Sequence, residues 1–157
     1  IWKYFRGDKI MDIVAGCVIK KDNKMLMVQE SNEKYYGQWN FPAGHVDEGE
    51  NIMEGAIREV KEETGCDVKL TGLLPIKTVY QKGIPTLIIE FTAEILNENI
   101  QFDKNEILDV KWIDIEEIKN MNEKTLRAIE TNKATFEDFI NNKIYPLEIF
   151  DEKKYLL

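Results

Sequence analysis

Gly44-His45-Val46-Asp47-Glu48-Gly49-Glu50, a seven-residue spacer from Asn51 to Ile57, and then Arg58-Glu59-Val60-Lys61-Glu62-Glu63-Thr64-Gly65-Cys66 form the stretch on which the reading of this chain turns. Met53, Ala56, Ile57 and Val60 recur at i, i+3, i+4 and i+7, which predicts a helix over Asn51–Thr64 with one apolar face against a sheet. Gly65 is placed to stop it. Glu59, Glu62 and Glu63 repeat the i, i+3, i+4 spacing and converge beside the apolar face, not opposite it. Two unit charges about 4 Å apart cost roughly 4 kcal/mol at an effective dielectric near 20, so this grouping needs compensation. Arg58 offers one partner and a divalent cation a better one. Oxygen-only ligands suit a hard ion, Mg²⁺ or Mn²⁺, and Mg²⁺ usually binds jointly with substrate phosphates. An acidic helical cluster beside a glycine loop therefore points to phosphate chemistry. The bland alternative is a solvated acidic face laced with Arg58 and Lys61.

Outward from this stretch, Ile13–Lys20 is a short apolar strand, Lys21-Asp22-Asn23 a turn, and Lys24–Glu30 a second strand, together a hairpin. Residues 31–40 read as a loop. Val68–Tyr80 is strand-like with a break around Gly72 and Pro75. Thr86–Ile95 alternates with a period of two, Leu87, Ile89, Phe91, Ala93 and Ile95 on one face. Val110–Ile113 is a further strand, and Asp114 is placed to cap a helix over Ile115–Asn120. Two more helices are expected, about Glu123–Thr131 and Phe136–Asn142, with Thr135 and Asp138 as a capping box for the second. Strands with interspersed helices predict an α/β or α+β sandwich.

The 157 residues fit one domain, residues 1–157, large enough to bury a core without disulfides or a structural metal. Hydrophobic content of 43% and charged content of 32% are those of a globular protein. No apolar run approaches a membrane span, and no secretory signal is visible, so a cytoplasmic location is expected. Cys17 and Cys66 sit among apolar residues and, with a single histidine in the chain, do not suggest a zinc site. A net charge of −8 disfavours non-specific nucleic-acid binding. Aromatics near a sheet are more often core, but Trp39, Asn40 and Tyr80, and less so Tyr35 and Tyr36, could line a ring-binding pocket. His45 reads as a loop residue without chemistry.

The stretch Gly44–Cys66 resembles the box of the Nudix family: Gly, five residues, Glu, seven residues, then Arg-Glu-aliphatic-any-Glu-Glu-any-Gly-aliphatic. Every defining polar and glycine position is present, and only Cys66 departs, standing where a larger aliphatic residue is usual. The preceding Trp39-Asn40-Phe41-Pro42-Ala43 also looks like the family. The resemblance implies a mixed β-sheet sandwiched between α-helices and metal-dependent hydrolysis of a phosphoanhydride bond. It implies that the Gly44 carbonyl, Glu59, Glu62 and Glu63 bind Mg²⁺ or Mn²⁺, that Arg58 orients Glu50 and Glu59, and that Glu59 is alternatively the base. A further carboxylate outside the box often completes such sites. Glu106 is the candidate, with Glu90 and Glu94 as competitors.

Weaker similarity extends over Ile84–Ile88 and Lys143–Glu148 to bacterial Nudix phosphatases acting on nucleoside di- and triphosphates and on hydroxymethylpyrimidine pyrophosphate. That implies a small nucleotide or diphosphate substrate and release of orthophosphate. The alternatives are a nucleoside triphosphate pyrophosphohydrolase releasing pyrophosphate, and a non-catalytic module that binds or senses its ligand. Many relatives are homodimers, which leaves a dimer open.

Overall fold

The computed structural model describes residues 11–151 and 153–155; residues 1–10, read above for a leader sequence, lie outside them. The strand expected at Ile13–Lys20 is β1, Asp12–Lys21, and its five consecutive residues Ala15–Ile19 are buried. A strand covered on both faces has to read as a continuous apolar run. β1 meets β2 (Lys24–Glu30) through the expected hairpin, with Asp22 in the left-handed region that a short polar side chain tolerates. β3 (Trp39–Asn40) pairs with β2, and β4 (Ala43–His45) pairs with β1, so the segment expected as loop contributes a short strand. Also in that segment, Glu33–Tyr35 form one turn of tight helix.

Helix α1, Ile52–Thr64, begins one residue after the expected start. Asn51 is its cap: the Asn51 side chain accepts from the Glu54 amide at 2.8 Å and the Glu54 carboxylate accepts from the Asn51 amide at 3.0 Å. Replacing Asn51 with Ala should cost about 1 kcal/mol, read as a lower midpoint in denaturant with an unchanged slope. At the other end Gly65 takes a left-handed conformation and its amide donates to the Lys61 carbonyl.

The broken strand is two strands, β5 (Asp67–Leu73) and β6 (Lys77–Gln81), both antiparallel to β7 (Ile84–Asn97). β7 in turn runs parallel to β1, which makes the sheet mixed. β8 (Ile107–Asp114) pairs with β2. Alternation along β1 then separates two cores. Ala15, Cys17 and Ile19 join Ala56 and Val60 of α1, while Val18 joins Met25, Met27, Phe41 and Leu74 under α2 (Ile115–Asn120) and α3 (Ile129–Ile140), which contribute Ile118 and Phe136. Helices on both faces of a mixed sheet are the architecture expected. Both cysteines are buried, and no helix among the described residues is long and apolar enough to cross a membrane.

The C-terminal helices correct the sequence reading. No helix spans Glu123–Thr131. Residues 122–127 turn and run beside β3, where the Trp39 amide donates to the Thr125 carbonyl and the Arg127 amide donates to the Trp39 carbonyl. Those bonds, and the Asn122 side chain accepting from the Lys124 amide, hold the backbone out of a helical path. A single helix, α3, instead runs from Ile129 to Ile140, taking in the end of the first expected segment and most of the second, so Thr135 and Asp138 lie inside it and form no capping box. Asp114 precedes α2 in extended conformation, but its side chain makes no capping bond.

Candidate active site

β4 and α1 bring the acidic stretch together. β4 holds Gly44 opposite Ala15 of β1, and α1 lays its carboxylate-bearing edge against that strand. A side chain at Gly44 has no room: a Cβ there would coincide with the Glu59 carboxylate. The absent side chain lets a carboxylate lie directly on the backbone.

Arg58 ties the cluster. Its Nε donates to Glu50 Oε2 at 3.0 Å and its Nη2 to Glu50 Oε1 at 2.7 Å, a two-pronged contact. Nη1 donates to Glu59 at 2.8 Å and to Glu62 at 2.9 Å, and Nη2 also donates to the His45 carbonyl at 2.8 Å. The bond from Arg58 holds the Glu50 carboxyl below its ordinary range, and Glu50 also accepts from the Asp47 amide. Glu59 behaves oppositely: burial raises its proton affinity more than Arg58 lowers it. Glu63 is displaced furthest, well above the usual carboxylate range, by burial first and then by the charges of Glu59 and Glu30. Its one hydrogen bond is from the Ala43 amide, at 3.0 Å. Glu62 is the most open of the three, with its side chain 54% exposed.

Every candidate donor here is oxygen, and the close seat of Glu59 on Gly44 places backbone and carboxylate side by side, a donor set that fits a hard divalent ion. As placed, no three acidic, histidine or cysteine side chains among the described residues converge on one point. Arg58 engages Glu59 and Glu62, and Glu63 is turned to Ala43.

The remaining expected residues scatter. Glu106 is exposed on the loop before β8. Its carbonyl accepts from the Ser31 hydroxyl at 2.6 Å, which pins that loop one residue beyond Glu30, and its carboxylate bonds to no described group. Of its competitors, Glu94 is exposed on β7 beside Lys69, and Glu90 is buried on the α3 face of the sheet, where Thr135 donates to it and Lys77 lies at 3.9 Å. Trp39 is half-buried with the Lys111 ammonium 5.6 Å from its ring centroid. Asn40 is buried and points inward, donating to Glu30 and accepting from Asn132. Tyr80 is 75% exposed on β6. β1 and β7 stand between it and Gly44, about 14 Å at ordinary strand spacing. His45 donates no bond to the carboxylate cluster; its ring pairs with Asp12 at 3.0 Å.

Sequence reasoning missed Glu30 and Arg127, which pair at 2.6 Å near Glu63. A signal existed for Glu30, which falls in step with buried Leu26 and Val28 on β2. Arg127, in a segment read as helix, gave none.

Burial also raises the proton affinity of Glu90, so the folded state holds that proton more tightly than the unfolded chain does. Stability from this group is therefore full in acid and is lost as pH rises through the folded value. Glu90→Gln should raise the melting temperature by a few degrees at neutral pH, and the difference should vanish below the ordinary carboxylate range; melting curves across pH check this.

Comparison with known proteins decides what this arrangement belongs to. The NUDIX domain model matches residues 11–133. The chain belongs to the NUDIX family. Among curated Nudix relatives it is 35% identical over 109 residues to nucleoside diphosphate-linked moiety X motif 6 of Xenopus laevis, covering 67% of this chain and 50% of that protein. It is 33% identical over 103 residues to an 8-oxo-dGDP phosphatase of Danio rerio, covering 65% of this chain and 31% of that one. A Nudix hydrolase structure from Nitrosomonas europaea superposes with a TM-score of 0.81 at 28% identity, over 92% of this chain and 97% of that one. The chain spans half or less of the length of the curated Nudix relatives it matches. Nudix hydrolases generally need divalent metal ions.

Proposed function

We propose that residues 1–157 form a single Nudix hydrolase domain that cleaves a phosphoanhydride bond in a nucleoside di- or triphosphate or a similar small diphosphate, with release of orthophosphate. The observation that carries this is the seat of Glu59 on Gly44 beside Glu62 and Glu63, three carboxylates from one helix edge, two of them with proton affinity raised by burial. In this reading the Gly44 carbonyl, Glu59, Glu62 and Glu63 hold Mg²⁺ or Mn²⁺, and Glu106 reaches in from the β7–β8 loop to complete the site or take the proton from water. When bound, the ion offsets charge on the phosphate oxygens and lowers the pKa of water. Arg58 orients Glu50 and Glu59, keeping the Glu50 carboxylate deprotonated and both side chains in place. Trp39, half-buried on β3, is the proposed platform for a ring. The orthophosphate reading is supported by the likeness to the Danio rerio 8-oxo-dGDP phosphatase and by the short resemblances at Ile84–Ile88 and Lys143–Glu148.

Incubation with Mg²⁺ and nucleoside di- and triphosphates, with orthophosphate and pyrophosphate assayed separately, tests the proposal. Turnover abolished by chelation and restored by Mg²⁺ or Mn²⁺, with orthophosphate as product, is expected. Pyrophosphate as product would replace the phosphatase reading by the pyrophosphohydrolase one, and failure to bind a divalent ion would refute the hydrolase assignment.

A further inference from the structure

Arg127 sits in an arrangement that the box does not explain. It lies on the turn beside β3, where its amide donates to the Trp39 carbonyl at 2.9 Å. Leu126 before it is fully buried in the core under α2 and α3, so Arg127 points to the other side of that short ladder, toward α1. Its Nη1 donates to Glu30 Oε1 at 2.6 Å, and Glu30 is itself 6% exposed at the end of β2. Asn40 donates to the same Glu30 oxygen at 3.0 Å and Asn32 to the other at 3.1 Å. Asn132 closes the set, donating to Asn40 and to the Arg127 carbonyl. The guanidinium carbon stacks 4.5 Å from the Tyr35 ring centroid.

A carboxylate on one edge and an aromatic face beneath fix the plane of the guanidinium. Yet its side chain is 30% exposed, and Nε and Nη2 donate to no described group. Five N–H groups in a rigid fork with one engaged leave a preformed set of donors. The fork stands near the carboxylate cluster: Asn40 donates to Glu30 at 3.0 Å, and Ala43, three residues further on, donates to Glu63 at 3.0 Å. In a chain of net charge −8, a buried carboxylate has been spent on holding a cation here. Asn40, expected to contact substrate itself, serves instead to hold Glu30.

We propose that Arg127 binds a phosphate oxygen of the substrate at the Glu63 edge of the site, with Glu30 and Tyr35 as the residues that position it. This rests on the hydrolase reading. It adds a second anchor, so that one phosphate of a diphosphate group lies among the α1 carboxylates and its neighbour on the Arg127 fork. Diphosphates are then favoured over monoesters by two contacts instead of one.

The test compares wild type, Arg127→Met, Arg127→Lys and the double variant Glu30→Gln/Arg127→Met, which removes the carboxylate that Arg127→Met would strand. Two readouts are taken: KM and kcat for the best nucleoside diphosphate, and Kd for methylenebisphosphonate in the presence of Mg²⁺, which requires no turnover. Arg127→Met should raise KM and the bisphosphonate Kd by about 10- to 100-fold, more than it lowers kcat. The double variant should recover melting temperature without recovering either constant, and Arg127→Lys should recover them in part. A bisphosphonate Kd within about twofold of wild type in Arg127→Met, or affinity restored along with stability in the double variant, would show a purely structural residue and overturn the proposal. Absence of turnover in wild type would fail the hydrolase reading alone, and the bisphosphonate titration would still decide Arg127.

Discussion

Glu63→Gln should leave a protein at least as stable as the parent and lower its metal-dependent turnover by roughly two to four orders of magnitude, in line with the several kcal/mol of charge stabilisation that a bound ion supplies. The two halves of this result have one cause. Glu63 is a half-buried carboxylate whose charge is opposed by burial, Glu59 and Glu30, and its proton affinity is raised accordingly. Glutamine keeps the acceptor for the Ala43 amide and removes the opposed charge. A site that costs stability and supports activity trades one for the other when it is neutralised. Melting temperature and Mg²⁺-dependent kcat/KM, measured on the same preparation, check both halves. A turnover within threefold of wild type would remove Glu63 from the machinery.

Arg58→Met has the opposite signature, loss of both. Arg58 satisfies Glu50 with two bonds and also holds Glu59, and the three side chains are 25%, 15% and 14% exposed. Stranding a fully buried charge costs about 3–5 kcal/mol, and partial exposure here reduces that to roughly 2–3 kcal/mol. Glu50, whose carboxyl Arg58 keeps below its ordinary range, should then titrate closer to a free carboxylate. Chemical denaturation reads the stability. Adding Glu50→Gln to Arg58→Met should return part of that stability, because it removes one of the stranded charges, but no activity, because Glu59 is still unheld.

The sequence exposed the parts of this fold governed by local pattern. Period-two alternation in Thr86–Ile95 and the apolar run Ile13–Lys20 marked β7 and β1, and the i, i+3, i+4 spacing marked both faces of α1. The box glutamates were picked out by their spacing on one helix edge together with the resemblance of the stretch to the Nudix box. What stayed hidden depends on partners distant in sequence. The turn at 122–127 has several ordinary helix-forming residues, and the Trp39 backbone, more than 80 residues earlier, helps to hold it in another path. Thr135 had the chemistry of a cap, but its hydroxyl is taken by Glu90, 45 residues away. Tyr80 was a reasonable pocket residue until the order of strands put β1 and β7 between it and Gly44.

The parallel ladder between β1 and β7 carries one more consequence. Its partners, Asp12 with Thr86 through Ile19 with Ala93, are separated by roughly 70 residues of chain, and such distant contacts form late in folding. The whole of β4 and α1 lies inside that loop. During synthesis the ribosome therefore releases every glutamate of the box well before the strand that locks β1 against them has emerged. A nascent chain ending before β7 would carry the complete motif without the geometry that gives it meaning, and the motif would become a site only when the loop closed.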